Sequence, residues 1–333
     1  MRVLPRGRKL NEAVKQGRGC RWNVHDFGIR SSRRDVASLT NVSSNFNASV
    51  VVNVTATVIV IITPNVIFPI DYNSNADIAI DIAVNSGIIV VMYVITFANP
   101  KGGSGKTTSA ILLAEQIALS GGRTAVLDLD PNANILAWSK ARADEGRDVP
   151  FNVHARPKAD ETVELIDTLA DHADYLIIDL EGSKDQIVTF ALSRTDLCVI
   201  PLDGSPMEAR QAATAVRLVQ TTSSMIRTRI GYSLLFTRTN AAFQTTDERD
   251  VRQEMELHEI PTLPVRIAKR APYTRIFRDG ILLAELPNLV EIENEGKSSS
   301  VKDKAMKQVT GAIENAREYA QAVIHTLTKE RAT

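Results

Sequence analysis

The stretch ANPKGGSGKTTSA, residues 98 to 110, decides the fold. It follows an apolar run of strand length, YVITFA, and opens a segment of helical character from Lys106 to about Leu119. A glycine-rich loop between a strand and a helix, closed by Gly-Lys-Thr, is a phosphate-binding signal. Gly102, Gly103 and Gly105 let backbone N–H groups turn inward on either side of Ser104, and the helix start adds the positive end of its dipole. Lys106 is placed to reach the β and γ phosphates of a nucleotide, Thr107 to offer its hydroxyl to Mg²⁺, and Thr108 to close the loop. ATP and Mg²⁺ are therefore the expected cofactors. A glycine turn that merely precedes a helix is the alternative, and the full order of strand, glycines, lysine and hydroxyl argues against it. The loop also holds a second lysine, Lys101, which phosphate binding alone does not require.

Outward from this loop, apolar runs of strand length alternate with helical segments. YVITFA leads to the helix from Lys106, TAVLDLD to a helix through Trp138, and FNVHA to a helix near Thr162 to Ala170. YLIIDL and LCVIPL lead to helices near Gln186 to Ser193 and from about Met207 to Val219. Several runs are apolar along their whole length, as in strands covered on both faces. The expected fold class is α/β: a doubly wound, mainly parallel sheet flanked by helices, a P-loop nucleoside triphosphatase with ligands at the carboxyl ends of the strands. Next come YSLLFTRT, a charged helix from about Asp247 to Glu256, an isolated strand TLPVRI, and a helix near Tyr273 to Glu285. Residues 92–290 form the expected catalytic domain. Residues 291–333 read as an exposed connection, EIENEGKSSS, and a C-terminal helix packed on the domain through Val301, Ala305, Val309, Ile313, Ala316, Ala320, Val323 and Leu327.

Composition bounds the partners. The 333 residues carry 39 Lys or Arg against 39 Asp or Glu, so no overall polycation announces nucleic acid or an anionic membrane. Cys20 and Cys198 lie far apart, which excludes a disulfide framework, a zinc ribbon or a self-contained iron–sulfur site and fits a reducing cytoplasm.

The chain changes character at Met92. No lysine or glutamate occurs from position 16 to position 100, and asparagine-speckled β-branched runs there show neither strand nor helix periodicity. Three readings compete for residues 1–91. The apolar run from Ser49 to Ile70 approaches the roughly 20 residues of a membrane span but is interrupted by Asn53, Thr63, Pro64 and Asn65. The arginines of the first 34 residues suit a transit peptide, without an evident processing site. The third and preferred reading takes Met92 as the native start, because MYVITFANPKGG begins directly with a buried-strand pattern. Residues 1–91 hold ten of the basic and six of the acidic side chains, which leaves 29 against 33 in the remainder, a mildly acidic domain.

The P-loop pattern asks for a glycine where Pro100 stands, and the next position is Lys101. KGGSGKTT resembles the loop of the deviant Walker-A ATPases, the ParA and MinD family, with nitrogenase iron protein as a more distant relative. The resemblance covers residues 92 to about 290 and implies that Lys101 crosses a homodimer interface to the phosphates bound by the other subunit. VLDLDPNAN, residues 126 to 134, resembles the family's DxDPQGN segment, with Asn132 for glutamine and Ala133 for glycine. By that resemblance Asp130 orients the attacking water, Asp128 supports the metal's water shell, and Asp179, at the end of YLIIDL, holds Mg²⁺ through water. Lys101, Lys106 and Asp130 are then the expected catalytic residues. Leu180-Glu181-Gly182 departs from the family's Thr-Pro pair; Arg238 and Asn240 lie where relatives contact the base. DPNANILAWSKAR, with Trp138, is most similar to small ParA-like partition proteins and to VirC-type ATPases of conjugative transfer.

The resemblance implies a cytoplasmic ATPase, nucleoid-associated when ATP-bound, whose Mg²⁺·ATP homodimer binds DNA without sequence preference. Slow hydrolysis, stimulated by a cargo-bound ParB-like partner, resets it. Lys269, Arg270, Arg275 and Arg278 form the densest basic stretch and are the candidate DNA contacts, a solvated face or internal ion pairs being the equal alternative. A MinD-like membrane cycle, or attachment to a protein surface without DNA, is the alternative function. The tail HTLTKERAT is poor in the bulky apolar residues a membrane helix needs.

Overall fold

The computed structural model describes residues 21–23, 58–62, 66–70, 79–81, 92–181 and 185–331. The chain divides into two compact units, Met1–Val91 and Met92–Thr333. In the first, Arg21–Asn23 pairs antiparallel with Ala79–Asp81, and Val58–Ile62 with Val66–Ile70. The apolar run weighed as a span therefore contains two paired strands. The rest of that unit lies outside the described residues.

Among the described residues of the second unit, seven strands form one sheet and all are parallel. In chain order they are β1 (Tyr93–Phe97), β2 (Thr124–Asp128), β3 (Asn152–His154), β4 (Tyr175–Asp179), β5 (Leu197–Leu202), β6 (Gly231–Thr239) and β7 (Thr262–Ala268). Across the sheet the order is β7-β6-β5-β1-β4-β2-β3, so β5, β6 and β7 follow outward on one side of β1, while on the other β4 is inserted between β1 and β2. β1 is the switch point of the doubly wound sheet, where a crevice opens beyond the carboxyl ends of the strands. TLPVRI, isolated in the sequence pattern, extends to Ala268 and forms one sheet edge beside β6.

Both faces of the sheet are covered, which is why its strands read as continuous apolar runs. Ile95 and Phe97 face a cluster shared with α1 (Lys106–Leu119), α2 (Asn134–Asp144), α7 (Ala271–Arg278), α8 (Leu286–Glu293) and α9 (Ser299–Arg331). Val94 and Ala98 point the opposite way, into a cluster with α3 (Thr162–Leu169), α4 (Gln186–Leu192), α5 (Pro206–Ile226) and α6 (Thr246–Leu257). Helix starts follow local chemistry. The Ser205 hydroxyl accepts the Glu208 N–H at the start of α5, with Pro206 in the first turn, and Thr245 does the same for Glu248 in α6.

The segment from Tyr273 to Glu285 is not one helix. It stops at Gly280, whose φ of 60° is left-handed, passes through a 3₁₀ turn at Leu283–Glu285, and continues as α8 to Glu293, so the exposed connection is shorter than the sequence pattern suggests. Two buried charges organise this break. Glu115 of α1, fully buried, accepts the Leu283 and Ala284 N–H groups at 3.1 and 2.8 Å. Arg142 of α2, 1% exposed, forks onto both Glu285 carboxylate oxygens at 2.8 and 2.9 Å and onto the Gly280 and Asp148 carbonyls. The guanidinium lies 5.4 Å from the ring centre of Trp138, whose indole N–H donates to the Ile276 carbonyl.

On the edge strand β7, the Asn315 side chain of α9 accepts the Ala268 N–H at 3.1 Å and donates to the Arg266 carbonyl at 2.8 Å. Tyr319, also on α9, is fully buried and donates to the Ser109 carbonyl of α1.

Candidate nucleotide-binding site

The loop between β1 and α1 is built on glycine. Gly103 and Gly105 have φ of 77° and 97°, and Gly105 caps α1. A Cβ on Gly105 would meet the Thr237 side chain at 3.2 Å, so conformation and space both require glycine there. Neighbouring strands hold the loop from outside. Asn99 donates to the Pro201 carbonyl of β5 at 2.6 Å and accepts the Lys101 N–H at 2.9 Å. From β6, the Thr237 hydroxyl lies 2.7 Å from the Ser104 carbonyl, and Arg238 donates to the Gly103 carbonyl at 2.7 Å. Arg238 takes up a left-handed φ of 55°, strain of the kind found at ligand sites.

The two lysines diverge. Lys106 is buried, and its ammonium donates to the Asn99 and Lys101 carbonyls at 3.0 and 3.2 Å. Burial pulls its pKa down, opposed by Asp179, Asp130, Glu181 and Glu208. Lys101 points instead at Glu208 of α5, with Nζ 2.7 Å from Oε1, and this hydrogen bond raises its pKa. Glu208 is 1% exposed, and its other oxygen accepts the Asp203 N–H at 2.8 Å.

The sheet register sets Asp128 directly opposite Asp179, and Asp179 opposite Phe97. Both carboxylates thus stand at strand ends beside the start of the loop. Asp179 is fully buried, and neither oxygen has a hydrogen-bond partner of good geometry. Burial raises its pKa to about 7, with the Thr107 hydroxyl and the Lys106 ammonium opposing the rise. Asp128 has a divided role. One oxygen accepts the Ile135 and Leu136 N–H groups at 2.9 and 3.0 Å and so caps α2, while the other is buried without a partner. Burial raises this pKa too. Asp130 is half-buried and accepts both the backbone and the side-chain N–H of Asn132 at 2.8 Å. Ala133, standing in the family's glycine place, adopts φ 47°, ψ 44°.

These residues fit a nucleoside triphosphate with Mg²⁺. Orphaned buried carboxylate oxygens beside Thr107 suit a cation, and the glycine loop, helix start and two lysines suit phosphates. Among the described residues, no group of three or more His, Cys, Asp or Glu side chains could hold a metal ion. Thr108 is half-buried in the first turn of α1, and Gly102 is exposed.

Other expected contacts stand differently. The Asn240 side chain accepts the Ala242 N–H at 2.8 Å, a local turn. Lys269 is exposed, and Arg270 lies against Gly311. Arg275 pairs with Asp279 and Glu293, each at 2.6 Å, and Arg278 pairs with Asp279. Arg275 and Arg278 thus carry internal ion pairs, the alternative weighed for the basic stretch alongside DNA contact. Sequence reasoning missed Asn99, Thr237 and Glu208. The only local signal for Glu208 is Ser-x-x-Glu at a helix start, which suggests a capping box, whereas its side chain bonds to Asp203 and Lys101.

Residues 95–323 match the family described as the CobQ/CobB/MinD/ParA nucleotide binding domain. The chain is 27% identical over 241 residues to Protein ParA of Rhizobium radiobacter, covering 72% of this chain and 99% of that protein. Protein virC1 of the same organism is 26% identical over 204 residues, covering 60% of this chain and 86% of that one. Among solved structures, the MinD cell division protein of Aquifex aeolicus is 16% identical, covering 70% of this chain and 97% of that one at a TM-score of 0.48.

Proposed function

The chain belongs to the CobQ/CobB/MinD/ParA nucleotide-binding family, and from that premise we propose that it is a ParA-like ATPase for partition or cargo positioning. ATP and Mg²⁺ close a homodimer, the dimer binds DNA without sequence preference, and slow hydrolysis reopens it. The observation that carries this reading is the divergence of the two lysines. Lys106 turns into its own loop, while Lys101 is held outside it by Glu208, as suits a cation that serves a second copy of the chain. Coupling phosphate neutralisation to subunit closure makes assembly depend on nucleotide.

Hydrolysis adds water to the γ-phosphorus as the bond to the β,γ-bridging oxygen breaks, giving ADP and inorganic phosphate. Mg²⁺, when bound, would supply neutralisation of phosphate charge. Asp179 and Thr107 would hold it, with Asp128 supporting its water shell from the adjacent strand. Lys106 binds the phosphates, and Asp130 orients the water. A cargo-bound stimulating protein and a cytoplasmic, nucleoid-associated location complete the proposal.

The test is co-sedimentation of the full chain with nonspecific duplex DNA in ATP and in ADP, with Lys101→Ala alongside. Binding in ATP only, lost in the variant, is expected. Absence of DNA binding from protein that still takes up ATP would overturn the DNA assignment and favour a membrane or protein surface.

A further inference from the structure

Arg156 is used by no step so far, yet it reaches the strand ends that carry the carboxylates. It lies just beyond β3, the outermost strand on its side of the sheet. One guanidinium nitrogen donates to the Leu129 carbonyl at 2.8 Å, and another pairs with the Asp185 carboxylate. Leu129, fully buried, donates its own N–H to the Asp179 carbonyl at 2.9 Å. The Leu129 residue is thus held from two sides, by Asp179 of β4 and by Arg156, immediately before Asp130. Asp185 caps the start of α4, but its side chain makes no capping bond to that helix; the carboxylate is committed to Arg156. An aspartate at a helix start ordinarily bonds its own helix. Here that carboxylate is diverted to Arg156.

We infer that Arg156 is a positioning residue for the hydrolytic step: through the Leu129 carbonyl and Asp185 it fixes the backbone from which Asp130 projects relative to the strand carrying Asp179. This rests on the proposed role of Asp130 as the group that orients water. Arg156 acts at one remove, because its bonds go to a main-chain carbonyl and to Asp185. A planar guanidinium presents its donors in a fixed fork that suits both partners at once, a geometry that the single ammonium of a lysine reproduces only in part. Small displacements of a water-orienting group reduce turnover while leaving nucleotide binding intact.

The experiment is single-turnover ATP hydrolysis by the full chain with Mg²⁺, alongside equilibrium binding of a fluorescent ATP analogue and thermal melting. The variants are Arg156→Gln, Arg156→Lys, Asp130→Ala and the double variant Arg156→Gln/Asp130→Ala. Arg156→Gln is expected to slow hydrolysis about tenfold with affinity within about twofold, and Arg156→Lys to recover part of the rate. The double variant is expected to be no slower than Asp130→Ala alone, since both act through one group. If Asp130→Ala slows hydrolysis and Arg156→Gln does not, or if the two effects multiply, the inference is overturned and the function stands. Equal losses of rate and affinity in Arg156→Gln, or a rate loss that follows only the fall in melting temperature, also overturn it. If Asp130→Ala leaves hydrolysis unchanged, the assignment of Asp130 fails, and the inference with it.

Discussion

The ammonium of Lys101 lies 2.7 Å from a Glu208 oxygen, and that carboxylate is 1% exposed, so the lysine assigned to a neighbouring subunit is engaged at home. Any move of Lys101 toward a second copy must leave Glu208 without its cation. Glu208→Gln keeps an acceptor for the Asp203 N–H but removes the charge that detains Lys101. The variant is expected to dimerise in ATP at roughly tenfold lower protein concentration, read by analytical ultracentrifugation. An unchanged dimerisation constant would mean that Glu208 orients Lys101 without opposing closure.

Asp179 makes apo stability depend on pH. Burial raises its pKa from 3.8 to about 7, so the folded state holds a proton that the unfolded state has already released between those values. Stability of the nucleotide-free protein therefore falls as pH rises through this window. Asp179→Asn is expected to flatten that slope and to stabilise the apo protein at pH 8 by up to about 4 kcal/mol, while weakening Mg²⁺-dependent nucleotide binding. Urea unfolding at pH 5 and pH 8 checks the stability effect, and equilibrium binding of a fluorescent ATP analogue with Mg²⁺ checks the binding effect.

Much of this site is legible in contiguous sequence. The glycine loop, the two lysines and the strand-end aspartates each carry a local signal of spacing and residue type. The contacts that complete it are not local. Asn99 bonds Pro201, 102 positions away, and Thr237 bonds Ser104 across 133, pairings that exist only once the strand order is known. The helix read from Tyr273 to Glu285 fails for a similar reason. Its apolar spacing is helical, but the buried Glu115 supplies acceptors that make a break at Leu283 favourable.

Ala133 tests one departure from the family pattern. Its φ of 47° lies where a side chain costs about 1 kcal/mol, partly offset by the greater unfolded-state freedom of glycine. Ala133→Gly is expected to change stability by no more than about 0.5 kcal/mol in the favourable direction. Ala133→Val is expected to destabilise by about 1 kcal/mol or more, because β-branching is poorly tolerated there. Chemical denaturation midpoints separate the two.

The buried fork of Arg142 on Glu285 predicts a purely structural loss. Arg142→Ala removes four hydrogen bonds and the contact with Trp138, and strands the Gly280 and Asp148 carbonyls. A loss of about 3 kcal/mol or more is expected in urea unfolding.

The basic stretch yields a different prediction. Arg275, 17% exposed, joins α7 to α8 through Glu293, whereas the Arg278 side chain is 64% exposed. Exposed pairs exchange partners at little cost. Reversal of Lys269 and Arg278 to glutamate is expected to weaken ATP-dependent DNA binding with little effect on melting, and Arg275→Glu to lower the melting temperature. Electrophoretic mobility shifts and thermal scans distinguish them.

The Asn315 amide gives the last helix a second office. By occupying the Ala268 N–H and the Arg266 carbonyl, it acts as a rung of an eighth strand that the described residues of this sheet do not include. The opposite margin of the sheet is β3, only three residues long. One margin is plugged and the other is too brief to template another strand, so the molecule is guarded against growing sideways into fibrils. A chain cut ahead of position 315 loses the plug together with the buried Tyr319, Val323 and Leu327, so it bares the sheet edge and the core beneath it at once.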